Sequence, residues 1–486
     1  MIKKIAIILS VSVLLSTFLV PISIAVTDHN YPISRTPIKH VIEIMMENHS
    51  FDNFFGTYPS NNLSLKVSHP LNLNNLTNSS FIERLPAGTF STPDPVEGYT
   101  AYHLDWNHGK MNGFLNGSGR QSLTTFTADQ MAPEWDLAME FAIDDMDFSM
   151  LTETTPNRLY SLAGYSPVMN DYGPPPCIPY DETIMSELDS YNLSWGYFIQ
   201  NVSDGYAPVN FISGINAHSS NIQDWSSFIS DLRTGNLPNV SWVMPVGGGA
   251  SDLYSQGPPN NVLFGEMWIM YLVNAVMKSR YWNSTAIFIT YDEGGGYYDQ
   301  VAPPVVDGIQ LGLRIPFIAI SPYAKENYVS STILDQSSVI AFIDYNWNMP
   351  ALNSFVSLSG IPVDMFDFSQ TYKNGILIRQ PISLSAYGLP VPDSYVFPFN
   401  SSKYFNLSDL FPIPLEYPLS DLPYAEYGSN NLTISSYSSA LYVTQDHPFT
   451  VFYLSDTMIW ALLIASVLIA YFLPKISKRT AKHERR

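Results

Sequence analysis

The chain has 486 residues, of which 46% are hydrophobic and only 14% are charged, and its formal net charge is −20 at pH 7. This length allows one large α/β domain or two smaller ones with a substantial buried core. The acidic balance argues against nucleic acid as a partner, because binding to a phosphate backbone needs a basic surface.

Residues 1–25 have the pattern of a signal peptide. Lys3 and Lys4 precede a long apolar stretch, and the Ser-Ile-Ala at its end would allow cleavage after Ala25. If the leader is not cleaved, it becomes an amino-terminal membrane anchor. In both cases we expect the residues that follow to lie outside the cell.

Residues 30–395 alternate short β-branched runs with helical stretches, which is typical of a mainly parallel α/β sheet flanked by helices. The apolar runs predict strands at 40–46, 240–245, 285–292 and 314–321. Between the second and third of these, apolar residues recur at helical spacing over 265–279. We therefore predict a single α/β domain over 30–395.

Two of the predicted strands run directly into acids and amides. Glu47 and Asn48 follow the first strand, and Asp292 and Glu293 lie at the end of the third, before three glycines. Ligands of open α/β sheets bind beyond the carboxyl ends of strands, and carboxylates crowded there repel unless a cation lies among them. Because all the ligand atoms would be oxygen, Ca²⁺, Mg²⁺ or Mn²⁺ is favoured over Zn²⁺. The alternative is two unrelated solvated turns.

The segment 152–164 predicts a helix that begins at Pro156 and ends at Gly164, with Thr154 or Thr155 as its cap. A hydroxyl at the amino end of a helix lies at the positive end of the helix dipole, which stabilises an alkoxide and an incoming phosphate. A structural cap accounts for the same threonine, and on this segment alone it is the preferred interpretation.

The carboxyl-terminal part predicts an attachment to a membrane. Residues 396–456 are rich in Ser, Tyr, Asn and Pro and are interpreted as a stalk or accessory segment. Residues 457–473 carry no charge and are just long enough to span a bilayer, and the basic residues of 474–486 place that tail in the cytoplasm. The sequence therefore predicts a single-pass protein of the cell membrane whose large domain is extracellular.

The external part is strongly acidic. Once the residues of the two ends are set aside, 15 basic residues remain against 42 acidic ones. Such a surface is tolerable in an acidic exterior, where carboxylates are partly protonated. Cys177 is the only cysteine, so no internal disulfide is expected, and twelve N-x-S/T sequons fit a glycosylated surface protein.

Four segments carry a resemblance to a known family. The matching residues are Glu47, Asn48, Ser50, Phe51, Asp52 and Gly56 in a first motif; Thr154, Pro156, Asn157 and Arg158 in a second; Asp292, Glu293, Gly295, Gly296, Tyr298 and Asp299 in a third; and His103, Trp106, Asn107, Gly109, Lys110 and Met111 in a weaker fourth. With these motifs the sequence resembles the phosphoesterase family of bacterial non-specific phospholipases C and related acid phosphatases. The likeness covers about residues 38 to 345 and implies an alkaline-phosphatase-like fold.

The resemblance implies a metal-dependent hydrolase of phosphate esters. Thr154 would be the nucleophile, would form a phosphothreonine and would lie at the edge of one divalent metal ion. The other metal ligands implied are Glu47, Asn48, Asp292 and Glu293. The resemblance also implies that His103 and Arg158 are catalytic residues. Asn157 and Lys110 would bind the substrate. As a ligand, Asn48 would be unglycosylated despite its sequon. His49 is not part of the family's pattern and is set aside.

The sequence departs from the family at histidines. Gln300 and Gln336 stand where the family usually has His, Asn112 stands where it usually has Asp, and two further His-containing blocks have none here. One explanation is an enzyme that has lost its proton-transfer groups. The other, which we favour, is adaptation to an acidic exterior, where imidazole would be permanently protonated and useless as a base.

The function predicted is therefore hydrolysis of phosphate esters outside the cell, of the phospholipase C or acid phosphatase type. One alternative is a sulfatase- or phosphodiesterase-like enzyme with the same fold. Another is a catalytically silent surface glycoprotein that binds metal. The sequence does not distinguish a phospholipid substrate, which needs an apolar approach to the site, from a soluble phosphomonoester.

Overall fold

The computed structural model describes residues 33–56, 58, 85–87, 90–128, 130–171, 178–199, 208–245 and 254–370, together with two short strands at 424–425 and 434–435. The predicted leader, membrane span and basic tail lie outside these residues, as do Cys177 and most of the predicted stalk. Within the described ranges, no helix is both long and apolar enough to cross a membrane.

The strands range from two to seven residues in length. They are β1 (His40–Met46), β2 (Leu85–Pro86), β3 (Thr124–Thr125), β4 (Ala142–Phe148), β5 (Ile178–Pro179), β6 (Trp195–Ile199), β7 (Ile212–Ser213), β8 (Ile222–Gln223), β9 (Val240–Met244), β10 (Thr285–Tyr291), β11 (Val305–Val306), β12 (Ile309–Gln310), β13 (Arg314–Ile320), β14 (Tyr328–Ser330), β15 (Leu334–Asp335), β16 (Tyr424–Ala425) and β17 (Ile434–Ser435).

The α-helices are α1 (Phe51–Phe55), α2 (Tyr99–Trp106), α3 (Ala132–Glu140), α4 (Thr154–Ala163), α5 (Ile184–Ser190), α6 (Trp225–Thr234), α7 (Val262–Lys278) and α8 (Ser338–Trp347). The longest, α7, begins three residues before the predicted helical stretch and covers all of it except Ser279, which is the C-cap. Short 3₁₀ turns connect several of the strands and helices.

One nine-stranded sheet organises the described part of the chain. Its order is β14-β4-β13-β10-β1-β9-β6-β8, and β15 also pairs with β4. β1 lies between β10 and β9 and is parallel to both, and β6 and β8 continue in parallel beyond β9. Only β13 runs antiparallel, against β10 and β4. The prediction of a mainly parallel α/β sheet is confirmed, and all four predicted strands are present.

The sheet buries both of its faces. Along β1, Ile42, Ile44 and Met46 join one apolar cluster, to which α3, α6 and α7 contribute, and Val41 and Met45 join the other, to which α5 and α8 contribute. This follows from the pleat, since successive side chains of a strand point to opposite faces. Each buried aliphatic side chain stabilises the fold by roughly 1.5–3 kcal/mol. The central strands are therefore held firmly, and so is the position of the loops that leave them.

Strand β4 was not predicted from the sequence. It reads Ala-Ile-Asp-Asp-Met-Asp-Phe, and three aspartates in seven residues are unusual for a strand. Asp144 and Asp147 are nevertheless fully buried in the sheet. Burial, the largest cause, raises the pKa of Asp144 to about 8 and that of Asp147 well above its usual range. A carboxyl that keeps its proton can be buried at much lower cost than a carboxylate.

Candidate active site

The two predicted acidic loops leave neighbouring strands at the same edge of the sheet. β1 and β10 pair in parallel with Met46 opposite Tyr291, so the next residues along each strand face one another. The backbone N–H of Asn48 donates to Oδ1 of Asp292 over 3.0 Å. The expectation that the two loops meet is therefore confirmed.

A close backbone contact fixes how these loops meet. Asn48 has a φ of 59°, and Gly295, two residues after Glu293, has a φ of 60°. A Cβ on Gly295 would lie 2.1 Å from the carbonyl oxygen of Asn48, so glycine is required there. The backbone of Asn48 is thus held against the Asp292–Gly295 turn without help from its own side chain.

Arg158 joins both loops to helix α4. Its guanidinium donates to Oδ2 of Asp292 from Nε over 3.0 Å and from Nη2 over 2.9 Å, and lies 3.5 Å from Oε1 of Glu47. Burial alone would lower the pKa of Arg158, but the charges of Asp292 and Glu47 outweigh it and raise that pKa above its usual value. Arg158 therefore acts as a permanent buried cation between two carboxylates.

Thr154 is the first residue of α4, and the cap is Glu153, whose side chain makes no capping hydrogen bond. The prediction that Thr154 or Thr155 caps a helix beginning at Pro156 is therefore wrong, while the end at Gly164 is confirmed. Thr154 lies four residues before Arg158, so both side chains are on the same face of the helix. That face is the one Arg158 turns toward Asp292 and Glu47, and Thr154 is half-buried there.

Asn157 holds the loop that leads into α4. Its Oδ1 accepts from the N–H groups of Met150 and Leu151, and its Nδ2 donates to the carbonyls of Leu151 and Glu153. A carboxamide has two donors and two lone pairs, so these four bonds use its full capacity. In the structure Asn157 positions the loop before Thr154, and its expected substrate-binding role stays a prediction.

Glu97 and Asp171 were not predicted, and both lie beside the acidic loops. Oε1 of Glu97 accepts from Nδ2 of Asn48 over 2.8 Å. Oδ1 of Asp171 accepts from the N–H of Thr155 over 2.7 Å, at the amino end of α4. Neither residue follows a predicted strand or belongs to a motif of the resemblance, so no signal in the sequence marked them.

A small, partly open pocket lies among these elements, with about 10 Å³ of free space, roughly enough for one water molecule. Its lining includes Glu293, Glu97, Gly98, Tyr102, Asp105 and Thr152. The pocket thus connects the end of β10, the loop before α2 and the approach to Thr154.

The carboxyl groups around the pocket retain protons readily. Burial, reinforced by the charges of Glu97 and Asp292, raises the pKa of Glu293 well above its usual range. Burial also raises the pKa of Asp292, although Arg158 acts in the opposite direction. A bound cation would reverse this preference, because it favours the ionised carboxylates.

The donor atoms fit an oxygen-ligated cation. Oδ1 of Asn48 and Oε1 of Glu293 are buried without a hydrogen-bond partner among the described residues. Each oxygen of Asp292 already accepts two hydrogen bonds, from Asn48 and Glu293 or from Arg158. The described residues contain no group of three or more His, Cys, Asp or Glu side chains arranged to hold a metal. The set differs from such a group because it includes an amide oxygen, and Asp292 is held by Arg158.

His103 and Lys110 lie on the exposed side of α2 and of the turn after it. Nδ1 of His103 is 2.8 Å from the carbonyl oxygen of Tyr99, and the two rings are in contact. Among the contacts of the described residues, none joins His103 or Lys110 to the carboxylates around Arg158. Their catalytic and substrate-binding roles stay predictions.

His49 is a structural residue. Its ring stacks on Phe54 with centroids 4.0 Å apart, and its nitrogens pair with Asn53 Oδ1 and the carbonyl oxygen of Gln256. Burial, the largest cause, lowers the pKa of His49 to about 4. It is therefore a neutral core histidine, in agreement with its exclusion from the site.

The two glutamines at the missing histidine positions hydrogen-bond to different elements, Gln336 to the end of β10 and Gln300 to Asp52 in α1. Nε2 of Gln336 donates to the carbonyl oxygens of Tyr291 and Asp292, each over 2.7 Å. The N–H of Gln300 donates to Oδ2 of Asp52 over 2.9 Å. Gln336 thus supports the end of β10 without adding a titrating group.

Known proteins resemble this chain over most of its described length. The model of the Phosphoesterase family matches residues 38–350. Phospholipase C A of Mycobacterium tuberculosis is 27% identical over 404 residues, covering 68% of this chain and 76% of its own. Non-specific phospholipase C1 of Arabidopsis thaliana is 30% identical over 343 residues, covering 60% and 62%. Non-hemolytic phospholipase C of Pseudomonas aeruginosa is 23% identical, covering 70% and 59%.

Among solved structures, a protein of the alkaline phosphatase superfamily from Vibrio parahaemolyticus superposes with a TM-score of 0.37 at 10% identity, covering 66% of this chain and 70% of that one. The alkaline-phosphatase-like fold stays a prediction. The family match spans both acidic loops, Thr154 and Arg158. This chain belongs to the Phosphoesterase family and is a phosphoric ester hydrolase.

Proposed function

We propose that the protein is a metal-dependent phosphoesterase of the phospholipase C type in which Thr154 is the nucleophile. One observation carries this proposal. Thr154 and Arg158 share a helix face, and Arg158 is bonded to the two loops that offer unpartnered oxygens on Asn48 and Glu293. The hydroxyl and the candidate ligands therefore belong to one structural unit.

One divalent cation would be held by Glu47, Asn48, Asp292, Glu293 and the hydroxyl of Thr154, and Arg158 would orient Asp292. When bound, that cation would lower the pKa of the hydroxyl and neutralise charge on the phosphoryl group. Oγ1 of Thr154 gives up its proton and forms a bond to phosphorus as the bond from phosphorus to the alcohol oxygen breaks. The alkoxide that leaves takes up a proton, so the alcohol is released. Water then hydrolyses the phosphothreonine, releasing phosphate or a phosphorylated head group and restoring the hydroxyl.

Two features favour a phospholipid over a soluble phosphomonoester. Val96 and Tyr99 flank the pocket residues Glu97 and Gly98 and are 56% and 63% exposed, so the approach to the pocket is apolar. In their ionised form, the carboxyl groups around the pocket also repel a doubly charged monoester more than a singly charged diester. Phospholipases C are the named relatives, and we extend their substrate class to this chain as part of the proposal.

We further propose that the enzyme acts outside the cell, held to the membrane by residues 457–473. The support is the sequence alone: the leader-like residues 1–25, the uncharged stretch and the basic tail after it. Glycosylation of the extracellular sequons belongs to the same proposal.

Replacing Thr154 tests the nucleophile. We expect Thr154→Ala to lower kcat at least about 10³-fold on a phosphatidylcholine vesicle and on an aryl phosphodiester, because loss of a nucleophile removes the covalent route. Thr155→Ala, one residue along the same helix, is the matched control and should retain activity. Acid-quenched wild type should carry phosphate on Thr154 by mass spectrometry.

Two results would count against this proposal. Unchanged turnover by Thr154→Ala would refute the nucleophile. A wild type that turns over neither substrate between pH 3 and 8 with Ca²⁺, Mg²⁺ or Mn²⁺ would favour the silent surface glycoprotein.

A further inference from the structure

We infer that Glu97 is a positioning residue that orients the carboxamide of Asn48 so that its oxygen faces the candidate metal site. The inference rests on the proposed function, because it concerns how this chain prepares a ligand for the cation. It adds a residue that none of the matched motifs contains.

The backbone of Asn48 does not determine the orientation of its side chain. Its N–H is bonded to Asp292, and its carbonyl packs against Gly295. These contacts fix where the side chain begins. A carboxamide held only at that point can still present either its oxygen or its nitrogen to the site.

The contact with Glu97 makes the choice. Oε1 of Glu97 is the acceptor in this contact, and an accepting oxygen pairs with the NH₂ group of a carboxamide and not with its oxygen. Oε1 of Glu97 lies 2.8 Å from Nδ2 of Asn48. The oxygen is then turned away from Glu97, and it is this Oδ1 atom that is buried without a partner among the described residues.

The loop that carries Glu97 is held without the help of its side chain. The N–H of Val96 donates to the carbonyl of Ser118 over 3.1 Å. Gly296 lies so close to this loop that an added Cβ would be 2.7 Å from the carbonyl oxygen of Val96. Removing the Glu97 carboxyl should therefore leave the loop in place and free only the carboxamide of Asn48.

The test measures Mn²⁺ binding to the purified protein by isothermal titration calorimetry, which needs no substrate. We expect Glu97→Ala to weaken Mn²⁺ about 10- to 100-fold, as found when groups that orient metal ligands are removed. Glu97→Gln keeps an acceptor oxygen and should lose less. Asp307→Asn, which removes an exposed charge from the turn between β11 and β12, should change affinity less than about threefold, because an exposed charge is screened.

Each result decides something. Equal losses in Glu97→Ala and Glu97→Gln would overturn the positioning role in favour of a simple effect of charge. Wild-type affinity in Glu97→Ala, with the fold verified by thermal unfolding, would overturn this inference and leave the proposed function standing. A wild type that binds no Mn²⁺ would overturn both.

Discussion

Two buried arginines each join the same two loops, and they do so differently. Arg314 bonds to Asp52 over 3.0 Å, to both oxygens of Asp299 over 3.1 Å and to the carbonyl oxygen of Asp145 over 3.0 Å. The oxygens of Asp52 and Asp299 also accept from backbone N–H groups. We call these three side chains the closed cluster.

The open cluster is Arg158 with Glu47 and Asp292, beside Asn48 and Glu293. Its residues come earlier in the same two segments, directly after β1 and β10. It nevertheless leaves Oδ1 of Asn48 and Oε1 of Glu293 without partners among the described residues. Buried polar atoms are normally hydrogen-bonded, and exceptions concentrate at functional sites. The comparison therefore separates a cluster that supports the loops from one that is built to receive something.

Replacing each arginine by methionine tests most strongly whether the two clusters differ, and it has the largest expected effect. We expect Arg314→Met to lower the free energy of unfolding by about 3–5 kcal/mol, because it leaves two buried carboxylates uncompensated. Mn²⁺ should not restore that loss. Arg158→Met leaves Asp292 and Glu47 in the same condition, but there a bound cation can take the place of the guanidinium.

The measurement is denaturant unfolding of both variants with and without Mn²⁺. We expect Mn²⁺ to recover a substantial part of the lost free energy of unfolding in Arg158→Met only. A cation that binds the folded state stabilises that state by mass action. An equal response of the two variants to Mn²⁺ would show that the clusters do not differ in the way described.

A third kind of site, a buried carboxyl with no arginine beside it, makes the stability of the fold depend on pH. Burial, the largest cause, raises the pKa of Glu43 in β1 to about 8. A hydrogen bond from the Trp242 side chain lowers that pKa by a smaller amount. Because this folded-state pKa exceeds the unfolded one, the stabilisation is fully present below about pH 4.5 and is lost as the pH rises through 8. Asp144 in β4 behaves in the same way.

We therefore expect the wild type to have a higher melting temperature at pH 4.5 than at pH 8. Glu43→Gln should flatten that profile by roughly 1–3 kcal/mol of unfolding free energy, because a neutral amide has no proton to lose. Asp224→Asn, at an exposed helix cap, is the control and should leave the profile unchanged. A wild type that is more stable at pH 8 would contradict the acid adaptation inferred from the surface charge.

The sequence predicted the parts of the site that follow long apolar strands. β1 and β10 are long apolar runs, which is why the sequence predicts them as strands. Their parallel pairing brings Glu47, Asn48, Asp292 and Glu293 together. Their prediction needed only the rule that ligands bind beyond the carboxyl ends of strands.

What the sequence could not predict depends on contacts between distant residues. Arg158 and Asp292 are 134 residues apart, and Asn48 and Glu97 are 49 apart, so no local period connects them. β4 escaped prediction because three aspartates in seven residues contradict the usual strand composition, and only the sheet around them explains why they are tolerated. The exposed place of His103 also required the structure.

The most direct test of the central claim is the anomalous scattering of a crystal grown with Mn²⁺. We expect one strong peak within about 2.0–2.6 Å of Oδ1 of Asn48 and Oε1 of Glu293, the usual range for oxygen ligands of hard cations. The closed cluster should show no peak. A crystal in which Mn²⁺ is absent from Asn48 and Glu293, or lies elsewhere while those oxygens stay unliganded, would contradict the claim that the open cluster is a metal site.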